Sequence, residues 1–225
     1  METEIYYFVN LLRKVKKHDL FNPYYDECES FDNMESAFVR RGNLANYLKI
    51  MLPKTDSLLV GEAPGHLGAR KTGIAFSDEY HLQKINKLLG TKLRIATNNI
   101  ISKDMFVKES SASFVWEILS ELETPPFLWN IIPFHPFNYP KSLTNRTPKT
   151  PDYHVSKEVI DYFFEHFKFD TIYAVGQTAN KYLQKLGLDP ILLRHPSFGG
   201  SPIFKRQMFK YFTKKKQTNI LEKFL

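Results

Sequence analysis

Cysteine is almost absent from this chain of 225 residues, and the lack removes several chemistries at once. One cysteine, Cys28, cannot form an internal disulfide framework, a thiolate zinc site or a four-cysteine iron–sulfur cluster within a single chain. Long hydrophobic runs are missing too: no apolar stretch approaches the roughly 20 residues that a membrane-spanning helix needs. The opening Met1-Glu2-Thr3-Glu4 is acidic and lacks the basic and apolar regions of a secretory signal, so a cytoplasmic location is expected. Low-complexity tracts, internal repeats and Pro/Gly-rich linkers are also lacking. The chain therefore reads as one domain, 1–225, with a helical N-terminal extension over about 1–52.

What is present is an ordinary globular balance, 43% hydrophobic and 24% charged, with an excess of basic residues. Lys and Arg number 31 against 24 Asp and Glu, a net +7 that biases the surface toward polyanions such as nucleic acid. The 19 Phe and 12 Tyr suit core packing and, at chosen places, base stacking. The run Lys214-Lys215-Lys216 reads as a solvated helix face.

Ile5, Phe8, Val9, Leu12 and Val15 recur at helical spacing, and a second helical pattern runs through Phe38, Leu44, Tyr47, Leu48 and Met51 to Pro53. Ser57-Leu58-Leu59-Val60 is then a short apolar run of the kind that forms a buried parallel strand. Similar runs stand at Phe127 to Ile132, Thr171 to Val175 and Ile191 to Leu193, with helical patterns around Val159 to Phe167 and Ala179 to Leu186 between them. Alternating strands and helices predict an α/β fold: a three-layer α/β/α sandwich around a central four-stranded, mainly parallel sheet.

Ligands of such sheets bind beyond the carboxyl ends of the strands, so the residues just after each run carry the functional information. Gly61-Glu62-Ala63-Pro64-Gly65 follows the first, either a loop whose backbone N–H groups face a ligand or an ordinary tight turn. The second run contains a polar Asn130, whose amide needs hydrogen-bond partners if buried. Arg194-His195-Pro196-Ser197-Phe198-Gly199-Gly200 follows the fourth and brings a histidine out of the sheet.

Taken together and in this order, these elements resemble the uracil-DNA glycosylase superfamily, nearest to the branch that usually holds an iron–sulfur cluster. Gly61 to Gly65 is similar to the first motif of that branch, and Thr72-Gly73-Ile74-Ala75-Phe76 to the segment after it. Asn130 and Asn145-Arg146-Thr147-Pro148 resemble the strand asparagine and the sequence downstream of it. Ile172 to Ala179 resembles the penultimate strand and helix start, and His195-Pro196-Ser197 the second catalytic motif. The likeness spans roughly Ser57 to Phe209.

The resemblance implies removal of uracil, or a related damaged base, flipped out of single- or double-stranded DNA. Phe76 would stack on the base, Asn130 would read its Watson–Crick edge, and Gly61, Pro64 and Gly65 would line the pocket. His195 and the backbone N–H groups near Ala63 would stabilise the leaving base, with Glu62 as the remaining candidate base. Ser197, Phe198 and Ile203 would press into the DNA, and Lys205, Arg206 and Arg146 would bind phosphates, as could Arg70, Lys71 and Lys141. Two departures stand out. The acidic pair common after the first motif is replaced by Gly68 and Ala69, and Ala63 stands where other members carry a water-activating aspartate. The cluster cysteines are missing as well, so no metal, cofactor or cluster is expected, and the protein reads as a monomer away from membranes. A silent base-binding module, or an unrelated α/β enzyme with Gly61 to Gly65 cradling a phosphate, remain the alternatives.

Overall fold

The computed structural model describes residues 1–98 and 108–213, so the lysine run 214–216 lies outside the described residues. Four short strands, β2 (Ser57–Gly61), β3 (Phe127–Asn130), β5 (Thr171–Val175) and β6 (Ile191–Leu193), form a sheet in the order β3-β2-β5-β6. All three pairings are parallel, which agrees with the nearly unbroken apolar character of the strands.

Side chains alternate between the two faces of a strand, and this places the helical layers. Phe127 and Trp129 share one face, where they meet Phe163 of α6 (Thr150–His166), while Trp129 also meets Phe8 of α1 (Glu2–Leu12). Tyr173, in register with Leu59 and through it with Leu128, points to the other face and packs on Tyr211 of α8 (Ser201–Tyr211) and on Phe212. Helix α5 (Ser110–Ser120) contacts α8, and α7 (Gln177–Lys185) lies along β5 and β6. The architecture is thus an α/β three-layer sandwich, as the strand and helix alternation predicts.

The first 52 residues are tied into this body. Phe8 is fully buried among Trp129, Tyr162, Phe163 and Phe167, and the hydroxyl of Tyr47 of α2 (Ser36–Met51) accepts the backbone N–H of Leu128 in β3 at 2.8 Å. A two-residue strand, β1 (Leu20–Phe21), pairs antiparallel with β4 (His135–Pro136) in the loop that follows β3. Two short helices, α3 (Ala69–Thr72) and α4 (Leu82–Leu89), sit between β2 and α5.

Candidate active site

Loops from β2, β3 and β6 converge at the carboxyl edge of the sheet on a cavity of about 410 Å³. Gly61, Glu62, Ala63, Pro64, Gly65, Phe76, Asn130, His195 and Ser197 all line it, so the residues singled out from three distant stretches of sequence share one chamber.

Asn130 is the last residue of β3 and is only 5% exposed. Its side chain lines the cavity and its amide makes no hydrogen bond among the described residues, so donor and acceptor are open to a ligand. A planar ligand with one donor and one acceptor on adjacent atoms would satisfy it. Gly61 makes the approach possible: a β-carbon there would lie 2.5 Å from Asn130 Oδ1 and 2.6 Å from Phe76 Cζ.

Phe76 takes a left-handed backbone conformation (φ 55°), which costs a residue with a side chain about 1–2 kcal/mol. Its carbonyl is held by the indole N–H of the buried Trp116 at 2.8 Å. The half-buried ring is thereby presented to the cavity on a braced turn rather than on a free loop.

His195 emerges just after β6, beside Gly176, where a β-carbon would lie 3.3 Å from His195 Cβ and 3.5 Å from the imidazole Cδ2. Burial and the positive charge of Arg194 hold its pKa below the usual histidine range, so the ring is neutral at pH 7. The Ser197 backbone N–H donates to Nδ1 at 3.1 Å. A neutral imidazole that accepts at Nδ1 carries its proton on Nε2, which leaves Nε2–H as a donor.

Two carboxylates also line the cavity. Glu62 has Oε1 buried without a partner among the described residues, and burial raises its pKa. Glu109, at the start of α5, is the residue that sequence reading missed; burial pushes it up to about 7, against a hydrogen bond from Ser111 and with a further push from Asp78. Nothing in its local sequence, Lys108-Glu109-Ser110, distinguishes it from a helix-start surface residue.

Several expected phosphate contacts are turned inward. Arg146 lines the cavity wall but spends its guanidinium on Asp152 (2.5 and 3.1 Å), Asp19 (2.8 Å) and the Phe137 carbonyl (2.9 Å). Arg70 is fully buried over the Phe21 ring, and Lys71 is buried near Glu79, so neither faces solvent. Asn145 is a latch: its Oδ1 accepts the His66 backbone N–H at 3.0 Å and lies 3.1 Å from His135 Nε2, joining the loops after β2 and β3. Lys205 is drawn to Glu117 of α5 and to Glu121 just beyond it at 3.1 and 3.3 Å, while Arg206 and Lys141 are exposed. Phe198, in the loop that follows His195, is 99% exposed and has φ 51°, and Ile203 is also exposed.

No curated protein sequence matches the chain. A solved structure that it resembles is the wild-type SMUG2 of Pedobacter heparinus, with 14% identity, a TM-score of 0.61, and 92% of this chain and 96% of that one covered. The sequence profile of the uracil DNA glycosylase superfamily matches residues 49–221, which takes in every strand of the four-stranded sheet and every cavity residue named above. The chain belongs to the uracil DNA glycosylase superfamily.

Proposed function

We propose that the protein is a monofunctional DNA repair glycosylase that hydrolyses the N-glycosidic bond of uracil, or of a closely related damaged base, and leaves an abasic site. The observation that carries this reading is the convergence of Phe76, Asn130 and His195 on one cavity of about 410 Å³, room enough for a flipped-out base. An enzyme of this kind extrudes the nucleotide from the helix and reads it in a closed pocket. Asn130 Oδ1 accepts from N3–H of uracil and its Nδ2 donates to O4, a pattern cytosine cannot match. As the bond to the sugar lengthens, negative charge gathers on the base and positive charge on the sugar. His195 Nε2–H donates to O2 as that charge develops, an interaction worth about 3 kcal/mol by comparison with oxyanion holes. Glu62, one of the two carboxylates of the cavity, stabilises the sugar cation and orients water in this reading.

The DNA contact we propose uses Phe198 as the wedge that fills the gap left by the extruded base, with Ile203 beside it. A groove of about 740 Å³ shares Pro148 with the base cavity and is lined by Lys149, Lys157, Lys181 and Lys185. Tyr153 and Tyr182 stack there at 4.1 Å, so the groove offers positive charge and aromatic surface to a flanking strand. Residues 1–52 belong, in this reading, to the same folding unit as the catalytic body.

The test uses end-labelled oligonucleotides carrying one uracil, single-stranded or opposite A or G, followed by alkali cleavage of abasic sites. Uracil-dependent breaks that His195→Ala lowers by about 100-fold or more, and that Asn130→Ala also lowers, are expected. Binding of the uracil oligonucleotide without any breaks would point instead to a module that holds the base but does not cut.

A further inference from the structure

The turn that carries Phe76 is held from behind by the N-terminal part of the chain. Helix α3 has only four residues, and the carbonyls at its C-terminal end fall outside its own hydrogen bonding. Two side chains that precede the four-stranded sheet in sequence supply donors to them. The Tyr24 hydroxyl donates to the Gly73 carbonyl at 2.9 Å, and Asn43 Nδ2, from α2, donates to the Thr72 carbonyl at 2.9 Å. Gly73 itself is left-handed (φ 78°) and packs so closely on α2 that a β-carbon there would lie 2.9 Å from the Arg40 carbonyl oxygen.

These donors are fixed in their turn. Tyr24 is buried, and burial raises its pKa, so the hydroxyl keeps its proton. Its backbone N–H donates to Asn22 Oδ1 at 2.9 Å, and Asn22 Nδ2 donates to the Leu12 and Val15 carbonyls at the end of α1 at 2.7 and 2.9 Å. Arg41 donates to the Tyr24 carbonyl at 2.7 Å. Asn43 is buried as well, and the Arg94 backbone completes its amide, the carbonyl accepting at 2.8 Å and the N–H donating at 2.7 Å. A continuous run of hydrogen bonds thus leads from the end of α1 to the residue that opens the Phe76 turn.

Phe76 needs such restraint. Its φ of 55° is unfavourable for a residue with a side chain, and backbone of this kind persists only where its surroundings over-determine it. Trp116 grips the turn at the Phe76 carbonyl, while Tyr24 and Asn43 grip its other end. The ring has little room for error, since a β-carbon at residue 61 would already lie 2.6 Å from its Cζ.

We infer that Tyr24 and Asn43 are positioning residues: by anchoring the Thr72 to Phe76 turn they set the height and tilt of the Phe76 ring, and through it the affinity for the extruded base. This rests on the function proposed above, in which Phe76 stacks on that base. A ring that stacks equally well in the bound state and the transition state contributes uniform binding, so loosening it weakens substrate binding and leaves the bond-breaking rate alone.

The experiment follows single-turnover excision from a uracil oligonucleotide as enzyme concentration is raised. Alongside it, binding is measured to the uracil oligonucleotide and to one carrying a tetrahydrofuran abasic analogue, which offers no base to stack on. Tyr24→Phe deletes only the hydroxyl. It should raise the half-saturating concentration for uracil DNA by about three- to tenfold, with the maximal rate within about twofold of wild type and affinity for the abasic analogue unchanged. Asn43→Ala, acting on the neighbouring carbonyl, should shift the same quantity in the same direction and tests the inference independently. In a Phe76→Ala background Tyr24→Phe should have no further effect, because its action runs through the ring. The inference is overturned if Tyr24→Phe leaves the half-saturating concentration unchanged, or if its effect survives in full without the Phe76 ring. It is also overturned if both DNAs are weakened alike, as a plain loss of folded protein would do. A wild-type chain that excises no uracil would instead overturn the proposed function, and the ratio of affinities for the two oligonucleotides then tests the inference by binding alone.

Discussion

A histidine can stabilise a departing anion as a neutral donor only while its pKa stays below the working pH, and two features of His195 favour this. Burial and Arg194 depress its pKa, and the Ser197 N–H occupies Nδ1, which fixes the donor at Nε2. Because the shift is downward, the neutral form persists to lower pH than for a free histidine. Excision of uracil should therefore hold level as pH falls through the ordinary imidazole range near 6.5 and decline only below it. An activity that collapses with a midpoint at or above 6.5 in single-turnover assays would contradict this assignment. At this scale the sequence located residues next to strand ends that share one cavity: Asn130, His195 and the Gly61 to Gly65 turn were legible as cavity residues because parallel strands aim their carboxyl ends at a common crevice. Glu109 was not legible, since it stands far in sequence from every strand end and only tertiary folding seats it against Gly65 and Gly68. Arg146 was misread for the opposite reason. A basic residue in a polar loop looks like a phosphate ligand until the chain places Asp19 and Asp152 around it.

That ion-pair network belongs to the scale of elements, because it joins the start of α6 to the segment between α1 and β1. Asp152 receives Arg146 at 2.5 Å, Lys17 at 3.1 Å and the Lys149 backbone N–H at 2.7 Å. Burial raises the Asp152 pKa, but the hydrogen bonds from Arg146, Lys149 and Lys17 outweigh it and the net shift is downward from 3.8. A carboxylate with a lowered folded-state pKa contributes stability that is present above 3.8 and lost as pH falls through the folded value. Asp152→Asn leaves buried cations short of a partner and should cost about 3 kcal/mol at pH 7 by denaturant unfolding. It should also flatten the loss of stability in acid. Equal unfolding midpoints for the two proteins at pH 7 would show the network to be energetically idle. The long elements were readable from periodicity, with α1, α2 and the four sheet strands close to their expected places. The two-residue strands β1 and β4 and the four-residue α3 were not, because segments so short have no period to detect and exist only through their tertiary partners.

Across the whole molecule, the question is what ties the outer part of the fold to the carboxyl edge of the sheet in a chain with one cysteine. Cys28 is buried with Phe21, Phe31 and Phe137 in a small apolar cluster of its own, beside the β1–β4 pairing. Arg40 and Asp32 form a fully buried pair at 2.8 Å next to it, and Arg40 also donates to the carbonyls of Pro23 and Asp26. Ring packing, a two-strand pairing and a charge-assisted hydrogen-bond network thus connect residues 20–40 to the loop after β3, without a covalent or metal link among the described residues. Cohesion of this kind comes from buried area and satisfied polar groups, so it should depend on neither iron nor thiol redox state. Thermal melting curves recorded with and without a strong iron chelator, and before and after mild oxidation, should superimpose. A chelator that lowers the melting temperature would mean that a bound metal contributes folding energy, since a ligand released from the folded state removes its binding free energy from stability. Cys28→Ala sharpens the comparison: loss of a small apolar side chain should lower stability modestly through packing alone, and it should leave the response to chelator unchanged.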